Sequence, residues 1–234
     1  MPLINGAEAR VPTGIPGFDK LVSGGFIKGS NYLVAGQAGS GKSIFCMQYI
    51  LDGLRKGESC VYLSLEQKIE DLLQDMSGFE WGPEIRKYYE SGKLVIVSAE
   101  PTSIKDLQDI SLAYISKVRA SRFVLDSLTV AALGWKTSSM DPGKVRSEVF
   151  SYMRSIESTG CTALFICEIP EGEVKKISMF GFEEFIVDGV VVLRYMTLGQ
   201  AGNRTIEVRK MRRTKIDESI HTLEFGKNGI SVSD

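Results

Sequence analysis

The sequence predicts an α/β fold: a mostly parallel, twisted sheet with helices on both faces and an antiparallel C-terminal hairpin extension. Three observations carry this expectation. Short apolar runs of strand length alternate with segments of helical period through the first two-thirds of the 234 residues. From about Val190 the helical segments give way to paired β runs separated by Gly-containing turns. A Gly-rich stretch, Gly36-Gln37-Ala38-Gly39-Ser40-Gly41-Lys42-Ser43, joins the first apolar run to the first long helical pattern, the strand–loop–helix order of a parallel unit.

In chain order, Met1 to Arg10 read as a polar lead-in. Two Gly-rich turns, Thr13 to Gly17 and Gly24-Gly25, bracket a short helical piece at Phe18 to Leu21. Strand one is expected at Asn31 to Ala35, then a helix from Ile44 to Leu54 that stops at Lys56-Gly57, a basic end followed by Gly. Cys60 to Leu65 is apolar on both sides, as a buried parallel strand should be. A helix at Lys68 to Met76 follows, and Gly78 to Gly92 reads as a connector with some helical turns. Leu94 to Val97 is strand three. Ser103 to Arg119 is a helix, with Ile104, Leu107, Ile110, Leu112 and Ile115 on its apolar stripe. Phe123 to Asp126 is strand four, and Gly134 to Gly143 is a loop around Thr137-Ser138-Ser139. A helix at Val145 to Glu157 leads into strand five, Thr162 to Cys167; Pro170 to Gly181 is a second loop. Val190 to Tyr195 and Thr205 to Lys210 form a hairpin across Gly199 and Gly202-Asn203, and Thr222 to Phe225 pairs with Gly229 to Val232. No internal repeat or composition break divides the chain, so one domain over residues 1–234 is expected.

Composition narrows the function classes. Hydrophobic residues make up 43% and charged residues 24%, ordinary globular values, and the formal net charge of −1 gives no global drive towards nucleic acid or membrane. Cys46, Cys60, Cys161 and Cys167 lie in apolar segments without a C-x-x-C, and His221 is the sole histidine, so zinc binding is not expected. Reduced, buried thiols point to the cytoplasm. Neither a signal peptide nor a membrane span is read in the sequence.

Gly36 to Ser43 fits G-x-x-x-x-G-K-[ST] at every fixed position, in the context that motif requires. A chance match in such a chain is on the order of 1%. The glycines permit a nest of backbone N–H groups, and the helix start behind them adds partial positive charge. Lys42 is expected on the β/γ-phosphates and the Ser43 hydroxyl on Mg²⁺. Asp126, ending strand four, is the candidate Mg²⁺-side acid. Glu66, ending strand two, would orient the attacking water if strands one, two and four lie side by side; a solvated loop acid is the alternative. Gln67 and Glu168 are weaker candidates.

The run Arg204 to Lys215 carries Arg204, Arg209, Lys210, Arg212, Arg213 and Lys215 against Glu207 alone. Period two puts Lys210 and Arg212 on one face, able to meet a triphosphate, in trans if it belongs to a neighbouring subunit. Spacing alone favours a charged edge strand that resists aggregation. Thr214-Lys215-Ile216-Asp217 imitates a guanine-selective signature but follows the hairpin, and GTP preference is not expected.

Taken together, these pieces resemble a single-domain member of the KaiC/RadA branch of the RecA-type P-loop ATPases, of the kind common in archaea. The resemblance rests on T-G-I-P-G-F-D at Thr13 to Asp19, G-G-F-I-K-G-S before strand one, the phosphate loop and Leu63 to Gln67. Val124 to Thr129, Val187-Asp188-Gly189-Val190 and Lys210-Met211-Arg212 complete it. It implies an ATPase with ATP and Mg²⁺, Glu66 as catalytic glutamate with Lys42, Asp126 as Mg²⁺-side acid, and Lys210 and Arg212 acting on a neighbour's ATP in a homo-oligomer. It also implies loops after strands four and five that face single-stranded DNA, where Lys175, Lys176 and Phe180 offer cations with a stacking ring; Glu171 and Glu173 dilute that charge, and a solvated loop is the alternative. Two departures stand out. Gln67 replaces a second glutamate, and Arg213-Thr214-Lys215-Ile216 replaces the Gly-Thr-Ser-His that often follows K-x-R. A circadian role is not expected from one domain, nor a strand-exchange filament without F-x-x-A. The open readings are an oligomeric ATPase signalling to a partner, a recombination or repair accessory binding DNA or a recombinase, and a nucleotide-binding switch.

Overall fold

The computed structural model describes residues 8–134, 141–170, 176–178, 181–198 and 201–233. Its centre is a nine-stranded sheet in the order β11-β10-β9-β8-β3-β7-β6-β4-β5. The parallel part holds β3 (Asn31–Gly36), β4 (Cys60–Ser64), β5 (Leu94–Ser98), β6 (Arg122–Asp126), β7 (Thr162–Glu168) and the start of β8 (Gly189–Leu198). β9 (Ala201–Met211), β10 (Ile220–Gly226) and β11 (Gly229–Ser233) continue it antiparallel. A separate ribbon pairs β1 (Arg10–Val11) with β2 (Phe26–Ile27).

Successive strand residues feed two cores, as a sheet buried on both faces requires. Tyr32 and Val34 of β3 join Tyr62, Val124 and Leu164 on one side, against α2 (Lys42–Arg55), α3 (Ile69–Met76) and α4 (Gly82–Glu90). Leu33 and Ala35 join Val61, Phe123 and Phe165 on the other, against α5 (Ile104–Val118) and α7 (Pro142–Glu157). α1 (Phe18–Leu21), α6 (Leu128–Gly134) and α8 (Glu183–Ile186) are short connectors. No described helix is long and apolar enough to cross a membrane.

Several expectations change. The connector before strand three contains a true helix, α4, because Pro83 stands in its first turn where no N–H is needed. α7 starts at Pro142, capped by the Asp141 carboxylate on Gly143 N, three residues before the expected Val145. Gly202 and Asn203 belong to β9 rather than to its turn. Strands one, two and four are not side by side: β7, the expected strand five, lies between β3 and β6. Strand order follows long-range contacts, which no local pattern encodes.

Fully buried Arg122 ties several elements together. Its guanidinium donates to Glu58 Oε2 at 2.6 Å, Asp52 Oδ2 at 2.8 Å and the carbonyls of Tyr49 at 2.6 Å and Pro12 at 3.0 Å, and it lies over the Tyr49 ring. Arg122→Met strands two carboxylates and two carbonyls. It is expected to cost about 3 kcal/mol, less than the extreme for a broken buried pair because both acids keep some solvent. Urea unfolding measures this; a loss below about 1 kcal/mol, the worth of an exposed pair, would show that the network adds no stability.

Candidate functional site

β3 ends at Gly36, and the chain turns over Gln37–Gly41 into α2. Gly39 (φ 69°) and Gly41 (φ 102°) take left-handed backbone, where a side chain is strained. Gly41 has a second reason to be glycine: a Cβ there would stand 2.5 Å from Phe225 Cζ. Ala38 and Gly39 are exposed at the loop's crest, whereas Ser40 is buried against Gly36. The Lys42 ammonium folds onto its own loop and donates to Gln37 O at 3.0 Å.

Ser43, in the first turn of α2, reaches β6. Its hydroxyl donates to Asp126 Oδ2 at 2.9 Å, and the Tyr62 hydroxyl donates to the same oxygen at 2.5 Å. Asp126 is almost fully buried, and burial raises its carboxyl above the usual range. The Glu66 charge adds to that shift, while the Tyr62 and Ser43 hydrogen bonds and Lys42 oppose it. Glu66 itself is exposed in the bend after β4. Ser64 pairs with Asp126 across β4 and β6, and Leu65 N donates to Asp126 O at 2.6 Å, so the two acids occupy neighbouring strand ends. One strand, β7, separates Asp126 from β3 and two separate Glu66 from it; α2 bridges the first gap by carrying Ser43 to Asp126. Glu168 sits level with Gly36 on β7.

Lys210 and Arg212 lie elsewhere. Lys210 pairs with Val190, and Val190 with Leu33, so Lys210 is level with a residue about 10 Å below Gly36 along β3. Its ammonium donates to Glu184 O at 2.8 Å and Val187 O at 2.7 Å; burial lowers its pKa and the Arg212 charge lowers it further. Arg212 donates to Phe185 O at 3.1 Å and faces Asp188 at 3.5 Å. Lys176 is exposed, while Lys175 and Phe180 lie outside the described residues. The guanine-like Thr214–Asp217 packs on the α1 end, where Ser23 donates to Lys215 O and Asp217 N to Leu21 O.

A model of the KaiC ATPase family matches residues 11–234. The chain belongs to the KaiC family of ATPases. It is 36% identical over 217 residues to the circadian clock protein KaiC3 of Synechocystis, covering 88% of this chain but 41% of that relative's length. A UPF0273 protein of Pyrococcus furiosus is 31% identical over 95% of this chain and 93% of its own. A crystal structure of a KaiC-like protein from Pyrococcus horikoshii superposes with a TM-score of 0.85 at 32% identity, over 97% of this chain and 100% of that one. The mostly parallel sheet with its antiparallel extension is thus a KaiC-like, RecA-type fold.

The donor set of Ser43 and Asp126 suits Mg²⁺. A hydroxyl and one carboxylate are hard oxygen ligands, and Mg²⁺ commonly takes one or two carboxylates, leaving the rest to water and phosphate. Among the described residues no cluster of three His, Cys, Asp or Glu offers a denser protein cage. Beside the loop opens a cavity of about 460 Å³, lined by Gly39 and Gly41 to Ile44 on one side and by Gln67, Asp75, Met76, Phe79, Arg204 and Phe225 on the others. Arg204 stacks on Tyr195 and Phe225 while its Nε donates to Gly39 O at 3.0 Å, and Tyr195 N donates to Gln37 Oε1 at 3.2 Å. The C-terminal strands therefore close over the phosphate loop. Sequence reasoning missed Tyr62, Phe79, Phe225 and the loop-binding part of Arg204. Arg204 was visible as one member of the basic run; the others carry no local signal.

Proposed function

We propose that this chain binds ATP with Mg²⁺ at Gly36–Ser43 and hydrolyses it, as one of several copies that complete each other's sites. The observation that carries the reading is the meeting of Ser43 and Asp126 beside Lys42, with the Glu66 charge felt at Asp126. Gly36 to Gly41 wrap the phosphates, and Lys42 exchanges the Gln37 carbonyl for a phosphate oxygen. Ser43 and Asp126 would hold the metal, which when bound would neutralise developing phosphate charge. Glu66 orients water and accepts its proton. Lys210 and Arg212, too far along the sheet for their own loop, face the triphosphate of a neighbour.

The test is ATP turnover per protomer against protein concentration, with oligomer mass measured alongside. Turnover should rise as oligomers form and vanish without Mg²⁺; a flat dependence at monomeric mass would overturn the shared site. Single-stranded DNA belongs in the same assay: stimulation that declines with salt supports a DNA role for Lys175, Lys176 and Phe180. Unchanged turnover favours a signalling ATPase.

A further inference from the structure

We propose that Asp75 reads a hydrogen-bond donor on the nucleoside half of the nucleotide, with its carboxylate aimed by Gln67. This rests on the nucleotide-site reading above. Asp75 lies in the last turn of α3, on the cavity wall with Met76 and Phe79. The phosphate loop lines the same cavity with Lys42. A carboxylate repels phosphate, so the triphosphate takes the Lys42 end and the nucleoside lies towards Asp75, Phe79 and Phe225, where rings give it stacking surface.

The acceptor is preset. Gln67 Nε2 donates to Asp75 Oδ2 at 2.9 Å. The Gln67 backbone is itself fixed, since its main-chain carbonyl accepts from the Ser64 hydroxyl at 2.9 Å and the Ser98 hydroxyl at 3.2 Å, and its main-chain N–H donates to Ser64 Oγ at 3.0 Å. An ionised carboxylate is acceptor-only, so its second oxygen can take a ligand N–H or O–H and nothing else. On ATP that donor is the exocyclic amine of adenine or a ribose hydroxyl. Gln67 is also the chain neighbour of Glu66, so nucleoside recognition and the water-orienting bend share one anchored turn.

Nucleotide affinity of the wild-type chain and of Asp75→Asn, measured with ATP, ITP, 2′-deoxy-ATP and 3′-deoxy-ATP, separates the sources. ITP carries a carbonyl where ATP has the amine. In Asp75→Asn the side-chain oxygen stays with Gln67 and an NH₂ group turns to the ligand. If the amine is read, the wild type should favour ATP over ITP by about fivefold, the usual worth of one net hydrogen bond, and the variant should reverse this. If a hydroxyl is read, the wild type should instead discriminate against one deoxy analogue, and the variant should lose that discrimination. Equal changes for all four nucleotides, with an unchanged melting temperature, would overturn Asp75 as a reader while leaving the nucleotide site standing. A wild-type chain that binds none of the four would overturn the site and this role together. Asp75 is exposed, so the variant is expected to fold.

Discussion

Glu66→Gln is expected to leave ATP binding intact and to lower turnover by about 10²–10⁴-fold, the usual contribution of a positioned general base. The substitution keeps the side chain's shape and removes its charge and basicity. Gln67 next door cannot take over, because an amide is no base and its Nε2 is engaged with Asp75. One further consequence distinguishes this from a general disturbance. The Glu66 charge helps to hold the Asp126 carboxyl above its usual range, so its removal favours ionised Asp126 and the metal site beside it. Nucleotide affinity in Mg²⁺ should therefore stay level or rise while turnover falls. Turnover within threefold of wild type would take Glu66 out of the reaction; lost binding as well would mark it as structural.

The strand–loop–helix turn at Gly36–Ser43, the buried strands and the acids that end them were legible because each is a local statement. A strand apolar on both faces has one place to go, and a carboxylate after it must emerge at the strand's end. What escaped is what depends on distant pairing. Tyr62 and Asp126 share a hydrogen bond across 64 positions, and Arg204 reaches Gly39 across 165. Phe225 is an ordinary hairpin aromatic until β10 brings its ring against Gly41. The order of β3, β7 and β6 belongs to the same class. It changed how Asp126 meets Ser43: α2 carries the hydroxyl across, and the strands do not adjoin. Gln67, read as a missing base, gains a physical account in the structure. A glutamate in its place would set a second carboxylate against Asp75.

Arg212→Ala is expected to reduce turnover by about 10³-fold or more, the range for a cation supplied in trans to phosphoryl transfer. Arg212 is the cleaner probe of the pair. Its side chain is 50% exposed and makes one carbonyl hydrogen bond with a long contact to Asp188. Lys210 is half-buried and ties down two carbonyls at the end of α8, so Lys210→Ala should lower the melting temperature as well as activity. The decisive measurement mixes two inactive proteins. A shared site needs Glu66 from the chain that supplies the phosphate loop and Arg212 from its neighbour. In a random equal mixture of Glu66→Gln and Arg212→Ala chains, head-to-tail contacts rebuild about one quarter of the sites, and activity should recover to that order. A cation acting on its own chain's nucleotide gives no recovery, because every chain then carries one lesion in its own site. The register already opposes the own-chain arrangement, since Lys210 is level with Leu33 and Arg212 lies beyond the end of β9, away from Gly36. Recovery on mixing would therefore identify the neighbour's loop as the target, and a mixture as inactive as its parts would return Arg212 to its hydrogen bond with Phe185.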